Sequence, residues 1–281
     1  MKYLKKFLAK INRQFTKLYL FIFARPINQQ LNNYIFQLAL KGKGYNNCCD
    51  PETTGELKLI NLIARFNPKL CIDVGANKGE YSKLLLLKTN ATIVSFEPMY
   101  ESFKSLISLQ KLYPDRFYPI NKGVSSENGE LEIHYGEEDS ILASFSLEVN
   151  KIDYLKKNNI NRRKVPVISL DTYYEENLSQ KFKTVDLLKI DTEGFEYEVL
   201  KGAKKILEII KPKFIQVEFN WHQLFRGHSL NKIAGMIENY KIYQLLPYGT
   251  GLVERDVKKP EANIYHYSNF VFVREDIIIN L

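Results

Sequence analysis

Apolar positions follow a helical period at the start of the chain and come in strand-length runs after it. Leu4, Phe7, Leu8, Ile11, Phe15, Leu18 and Ile22 lie on one helical face, so residues 1–24 predict an amphipathic helix. Lys2, Lys5, Lys6, Lys10, Arg13 and Lys17 fall on the opposite side at about 100° per residue. Arg25 precedes Pro26, which pushes it out of the α region and ends the helix. A second helical patch covers residues 31–40. Residues 41–56 (KGKGYNNCCDPETTGE) carry loop chemistry throughout and read as a linker.

From Leu57 onward, apolar runs alternate with helical patterns, the signature of a parallel sheet with crossover helices. The predicted strands are 69–74, 91–96, 117–124, 185–190, 213–219, 241–246 and 269–274. Helical stretches lie near 78–88, 100–112, 195–209 and 229–239. Residues 129–136 and 164–170 predict two further short strands, and 136–164 is an insertion without a readable pattern. The order suits a doubly wound α/β sheet. The chain thus divides into a basic helical arm with its linker, 1–50, and one domain, 51–281.

Composition narrows the class. Of 281 residues, 45% are hydrophobic and 26% charged, which excludes disorder and collagen-like chains. Three cysteines, Cys48, Cys49 and Cys71, form neither a disulfide framework nor a zinc spacing, and predict reduced thiols in the cytoplasm. The net charge of +8 resides wholly in residues 1–50, which hold nine bases and the single acid Asp50. Positive charge confined to an arm argues against a nucleic-acid groove across the body. The apolar stretch Leu18–Ala24 is far short of the roughly 20 residues of a bilayer span, and no signal-peptide cleavage pattern follows it. A basic amphipathic helix either lies on an anionic membrane surface, here the inner face, or docks its stripe on the body. Both readings stay open, and the oligomeric state is not encoded in any pattern.

Candidate chemistry begins at the first strand. KLCIDV runs into Gly75-Ala76-Asn77-Lys78-Gly79, and a helix starts at Glu80. Glycines at such a turn let a ligand approach the backbone and leave helix N–H groups pointing at it. The turn lacks the second glycine of the dinucleotide fingerprint. With Asp73 at the strand end it suits a ligand bearing an amine and a sulfonium rather than a diphosphate. Glu97 ends the next strand, where an acid accepts both hydroxyls of a ribose. Together these point to S-adenosylmethionine, and a branched side chain at Gly75 would take the ligand's space.

A second cluster, Asp191-Thr192-Glu193-Gly194-Phe195-Glu196, follows the strand VDLLKI. Three carboxylates at a strand end are costly unless they bind a cation, a proton or a donor-rich substrate. Glu196 is expected to face solvent or to assist the helix N-terminus. The next strand delivers Glu218, Asn220, Trp221 and His222 to the same rim.

CIDVGANKGEYS, VSFEPMYESFKSL, NKGVSSENGELEI, VISLDTYY, LLKIDTEGFEYEVLKGA and FIQVEFN resemble, in order, the FkbM-type methyltransferases. The resemblance spans roughly residues 57–220, with LKIDTEGFE the most specific segment. It implies a class I methyltransferase fold, a Rossmann-like doubly wound sheet with seven main strands, the last antiparallel, here preceded by the helical arm. It also implies methyl transfer from S-adenosylmethionine to oxygen, commonly a hydroxyl of a sugar, glycolipid or natural product. Asp73, Gly75, Ala76, Asn77 and Gly79 would hold the methionine part and Glu97 the ribose. Asp191 and Glu193 would lie beside the reacting methyl.

The sequence leaves the base open among Asp191, Glu193 and His222. A third arrangement has Asp191, Glu218 and Asn220 holding Mg²⁺, which the residues permit but do not require. Two rivals are a non-catalytic binding protein on the same scaffold and a nucleic-acid methyltransferase. The intact turn with Glu97 speaks against the first. The second would carry an Asn/Asp-Pro-Pro-aromatic turn where Asp191-Thr192-Glu193-Gly194-Phe195 stands.

Overall fold

The computed structural model describes residues 2–48, 50–137, 143–148 and 151–279. Cys49 and parts of the 136–164 insertion lie outside the described residues. Eleven strands form among these residues: β1 (Leu70–Val74), β2 (Thr92–Phe96), β3 (Phe117–Ile120), β4 (Gly123–Val124), β5 (Gly129–Tyr135), β6 (Asn161–Ile168), β7 (Leu187–Ile190), β8 (Phe214–Phe219), β9 (Tyr240–Leu245), β10 (Leu252–Glu254) and β11 (Ser268–Arg274). The main sheet has the order β10-β9-β11-β8-β7-β1-β2-β3. β3, β2, β1, β7 and β8 run parallel, and β11 pairs antiparallel with both β8 and β9. This is the expected class I sheet, with β10 added as an eighth strand on the edge of β9. Three residues are too short a run to show a period.

Ten α-helices accompany the strands among the described residues: α1 (Lys2–Phe23), α2 (Gln29–Gly42), α3 (Glu56–Ala64), α4 (Glu80–Lys88), α5 (Tyr100–Leu112), α6 (Asp153–Asn158), α7 (Leu170–Asn177), α8 (Glu196–Lys201), α9 (His222–Phe225) and α10 (Leu230–Ala234). Both faces of the sheet are covered, and β1, β7 and β8 are buried along their whole length. Leu70, Ile72 and Val74 pack with Leu170, Leu200 and Ile233 on one face. Cys71, Ile93 and Val271 pack with Ile60, Leu85 and Leu106 on the other.

The expected strand 117–124 breaks in two. Pro119 has no N–H to give a further neighbour, which suits the sheet edge. Asn121 Nδ2 donates to the Glu97 and Pro98 carbonyls at 2.9 and 3.2 Å and turns the chain. Gly123–Val124 then joins a second sheet, β4-β6-β5. The expected helix 195–209 is also divided, into α8 and a π-turn at Ile206–Ile210. Between them Gly202 passes Ser125 so closely that a Cβ would meet its carbonyl oxygen at 2.0 Å.

The linker reading of residues 41–56 needs correction. Tyr45 is fully buried, and the backbone of 43–46 is hydrogen-bonded to the sheet as a strap. Glu56 already belongs to α3.

Candidate active site

The carboxyl ends of β1, β2, β7 and β8 open into one cavity of about 300 Å³. Val74, Gly75, Asn77, Phe96 and Glu97 form one end of its wall, and Asp191, Thr192, Glu193 and Glu218 the other. Ligands of open α/β sheets bind at this edge.

At the first end, Gly75 adopts φ +79° and Gly79 φ +86°. A Cβ on Gly75 would lie 1.7 Å from the Asp191 carbonyl oxygen. A side chain there breaks the junction of β1 with the β7 turn, so the position is closed by the fold before any ligand arrives. The Asn77 and Met99 N–H groups donate to the two Glu97 oxygens at 2.8 and 2.7 Å. Burial pushes the Glu97 carboxyl up to about 7 even though these amides oppose the shift. Phe96 and Met99 add apolar surface beside it.

Beneath the cavity lies a polar rung that the sequence reading did not assemble. Ser95, Asp73, Lys189 and Gln216 occupy facing positions on β2, β1, β7 and β8. Ser82 donates to Asp73 Oδ2 at 2.6 Å, and Lys189 Nζ lies 3.5 Å from Asp73 Oδ1 and 3.0 Å from Asp191 Oδ2. Tyr81 donates to Gln216 Oε1, and Gln216 Nε2 donates to Glu56. Burial alone would lower the Lys189 ammonium, but Asp191, Asp73 and Glu56 around it raise it. Lys189 stands in the apparently apolar run LLKI, and its register opposite Asp73 is visible only once strands pair.

At the second end, one oxygen each from Asp191, Glu193 and Glu218 lies within 4.8 Å of the others. Burial raises the Glu218 carboxyl well above its ordinary range, with Asp191 and Glu193 adding to it. His222 Nδ1 lies 3.1 Å from Glu193 Oε2. Burial raises Glu193 as well, and His222 opposes the shift. Glu193 has φ +52°, a left-handed backbone that a non-glycine residue rarely holds. Two contacts hold it there. Ser144 Oγ donates to the Glu193 carbonyl at 2.8 Å, and Glu196 Oε1 accepts from the N–H groups of Thr192 and Gly194 at 2.9 and 3.2 Å. Glu196 is buried beside Gln223, which donates to its other oxygen, so the expectation that it faces solvent is corrected.

The cavity therefore gathers Gly75, Asn77, Glu97, Asp191, Glu193 and Glu218 in its lining. Asp73, Ala76 and Gly79 lie outside that lining: Asp73 in the rung below, Gly79 against Leu106 of α5, and Ala76 within the core. His222 is one layer back, behind Glu193. Asn220 Oδ1 accepts from the His222 N–H while Nδ2 donates to Glu218, and Glu193 joins Asp191 and Glu218 in the acidic group. Cys48 of the strap, Phe145 of the insertion, Lys122 and Tyr267 complete the wall. Lys122 falls in the segment NKGVSSENGELEI but was given no role, and no local pattern marked the other three, since each arrives from a loop whose path depends on the packed body.

The methyltransferase FkbM domain profile matches residues 73–242. The chain is 24% identical over 208 residues to 2-O-methyltransferase NoeI of Sinorhizobium fredii, covering 71% of this chain and 82% of that protein. It is 28% identical over 168 residues to hexuronic acid methyltransferase AglP of Haloferax volcanii, covering 59% of this chain and 63% of that protein. An O-methyltransferase from Bacillus cereus, solved in complex with SAH, aligns over 86% of this chain and 90% of its own at 10% identity, with a TM-score of 0.43.

Proposed function

This chain belongs to the FkbM methyltransferase family and is an S-adenosylmethionine-dependent methyltransferase, and on that premise we propose that its acceptor is a sugar hydroxyl. One observation carries the reading: Glu193, with His222 behind it, faces the same cavity as Glu97. A ribose-accepting carboxylate and a proton-accepting one thus share a single chamber. One relative is named for hexuronic acid, a sugar with hydroxyls and a carboxyl, and the other for a 2-O position; both names suit a sugar acceptor and the second a hydroxyl.

S-adenosylmethionine supplies a methyl group already activated on a sulfonium. Glu97 would hold the ribose hydroxyls, with Phe96 and Met99 beside the base, while Gly75 and Asn77 would line the methionine end. A donor of that shape suits the acidic, glycine-turned wall. Holding donor and acceptor in line is worth about 7–11 kcal/mol of barrier. The acceptor hydroxyl must still lose its proton, and Glu193 is the group placed to take it. Asp191 is committed to Lys189 at 3.0 Å. Glu193 faces His222 instead, and burial raises its carboxyl and so its basicity, although His222 opposes the shift. The donor would supply the methyl carbon to the acceptor oxygen with cleavage of its carbon–sulfur bond, and Glu193 would keep the acceptor's proton.

Asp191, Glu193 and Glu218 also form a set that could hold a divalent cation. The Lys189 ammonium beside Asp191 favours the metal-free reading, and turnover that persists in EDTA supports it. The test of function is to incubate the protein with S-adenosylmethionine and glycan fragments, hexuronic acid-bearing ones included. A new methyl ether on a sugar oxygen is expected, stable to mild alkali. A methyl ester, or methylation of RNA in preference to every glycan, overturns the proposal.

A further inference from the structure

The active site uses nothing from α1 or α2, yet these helices carry a concentration of exposed apolar surface. Ile11, Phe15, Leu18 and Ile22 keep the stripe read from the sequence and are 46–66% exposed. Leu20 and Phe21 are exposed as well, so the last turn of α1 is apolar nearly all round. On α2, Leu31, Tyr34, Ile35 and Leu38 form a second stripe at i, i+3, i+4 and i+7, also in solvent. The polar side chains between the helices are spent on joining them. Tyr19 donates to Asn32 Oδ1 at 2.7 Å, while Asn32 and Asn28 donate to the Phe23 and Ile22 carbonyls, each at 2.9 Å. Among the described residues the hairpin meets the body at the α2 end, where Leu40 and Tyr45 are buried and Phe36 lies edge-on against His266. Ile11, Phe15, Leu18 and Ile22 are therefore not docked on the body.

Contiguous apolar surface of this kind marks an interaction site, and the charge around it selects the partner. Residues 1–49 contain no aspartate or glutamate, while Lys10, Arg13, Lys17 and Arg25 stand exposed on the arm. A second copy would bring the same positive charge against this one. An anionic lipid surface neutralises it, and the acyl boundary receives the stripes while the long basic side chains reach the headgroups. Among the described residues no helix is long and apolar enough to cross a membrane.

We propose that α1 and α2 form a docking hairpin that lies in the surface of an anionic membrane. The hairpin is coupled to the catalytic body through the strap. Arg255 donates to the Lys43 carbonyl at 3.3 Å, Ser268 to the Gly44 carbonyl at 2.9 Å, and the Asn46 N–H to the Tyr267 carbonyl at 2.8 Å. Cys48, a little further along, is already cavity wall. The docking does not depend on which hydroxyl is methylated.

The test is co-sedimentation of the full chain with vesicles of phosphatidylcholine alone or mixed with phosphatidylglycerol. Binding is expected on the anionic vesicles only, weakening about tenfold or more as salt rises several-fold and the Debye length shortens. The Lys10→Glu/Arg13→Glu/Lys17→Glu variant should lose at least about tenfold in vesicle affinity, and Phe15→Ser/Leu18→Ser a similar factor. Both should keep the wild-type melting temperature and S-adenosylmethionine affinity, because these side chains do not touch the body. Absence of binding to anionic vesicles overturns the proposal, as does equal binding to phosphatidylcholine alone. A solution dimer that Phe15→Ser/Leu18→Ser dissociates overturns it in favour of self-association.

Discussion

The two ends of the cavity hold acids on different terms. Glu97 sits in a socket of main-chain amides, with one N–H on each oxygen and apolar side chains around it. Glu193 and Glu218 sit among other carboxylates, moderated by His222 on one side and by the Asp191–Lys189 pair on the other. A backbone socket is rigid and serves one unchanging ligand. A side-chain cluster shares its protons and can give or take one during a reaction. In the proposed reaction the first end would hold the methyl donor and the second would handle the acceptor's proton.

The largest effect should come from the proton-handling end. Glu193→Gln keeps the shape but cannot accept a proton, and kcat is expected to fall by about 10²–10⁴. The affinity for S-adenosylmethionine, read by calorimetry, should stay within about threefold, a small loss beside the 1–3 kcal/mol scale of a lost charged contact. If donor affinity collapses while kcat survives, the division between the two ends is wrong.

Beneath both ends runs the rung, and it ties them together. Lys189→Met would leave Asp73 and Asp191 without the ammonium that faces them, at a cost of about 3–5 kcal/mol for breaking a buried pair. Thermal unfolding should show it as a melting temperature lower by on the order of 10 °C. Adding Asp73→Asn should restore part of the loss, since the stranded charge is then removed. A Lys189→Met protein that melts like the wild type would mean the rung is not an ion pair.

Glu97→Ala is the reciprocal of the Glu193 test. It should weaken S-adenosylmethionine by about 1–3 kcal/mol, the scale of lost charge-assisted hydrogen bonds. At saturating donor, kcat should return close to the wild-type value. Loss of kcat without loss of donor affinity would move Glu97 to the chemical end.

These contrasts were only partly visible along the chain. The strands of a doubly wound sheet and the strand-end place of Glu97 followed from apolar runs and strand-end acids, because both are local patterns, whereas the antiparallel last strand was implied by the family resemblance. Asp73 looked like a ligand residue because it stands at a strand end beside glycine. Its side chain instead meets Ser82 and Lys189, a partnership that exists only across strands. The 41–56 loop looked like a linker because Gly, Asn and Lys carry no period, yet Tyr45 within it is as buried as any core residue. Glu196 was expected to face solvent or to assist the helix N-terminus; it stands in the first turn of α8 and accepts from main-chain N–H groups there, while its burial depends on Gln223 arriving from α9. Local chemistry was readable in the chain, whereas pairings between distant segments were not.

The smallest expected effect concerns pH. In the free protein, burial holds the Glu97 carboxyl at about 7, above its ordinary range. A group raised in the folded state contributes stability that is full below its unfolded pKa and lost as pH rises through the folded value. Glu97, and Glu196 at about 7 for the same reason of burial, should therefore make the free protein less stable as pH climbs from about 5 to 8. Donor binding should respond in the opposite direction. Ribose hydroxyls donate to a carboxylate, so binding favours the ionised Glu97 and releases its proton. Affinity should rise with pH up to about 7 and level off above it, by no more than about tenfold per pH unit for a single proton. Calorimetry at pH 6 in two buffers of different ionisation enthalpy should reveal the released proton, roughly one per donor bound at most. Glu97→Gln should flatten the pH dependence and abolish the release. A profile that stays steep in that variant would place the titrating group at the other end of the cavity, among Glu193 and Glu218, and the contrast between the two ends would have to be redrawn.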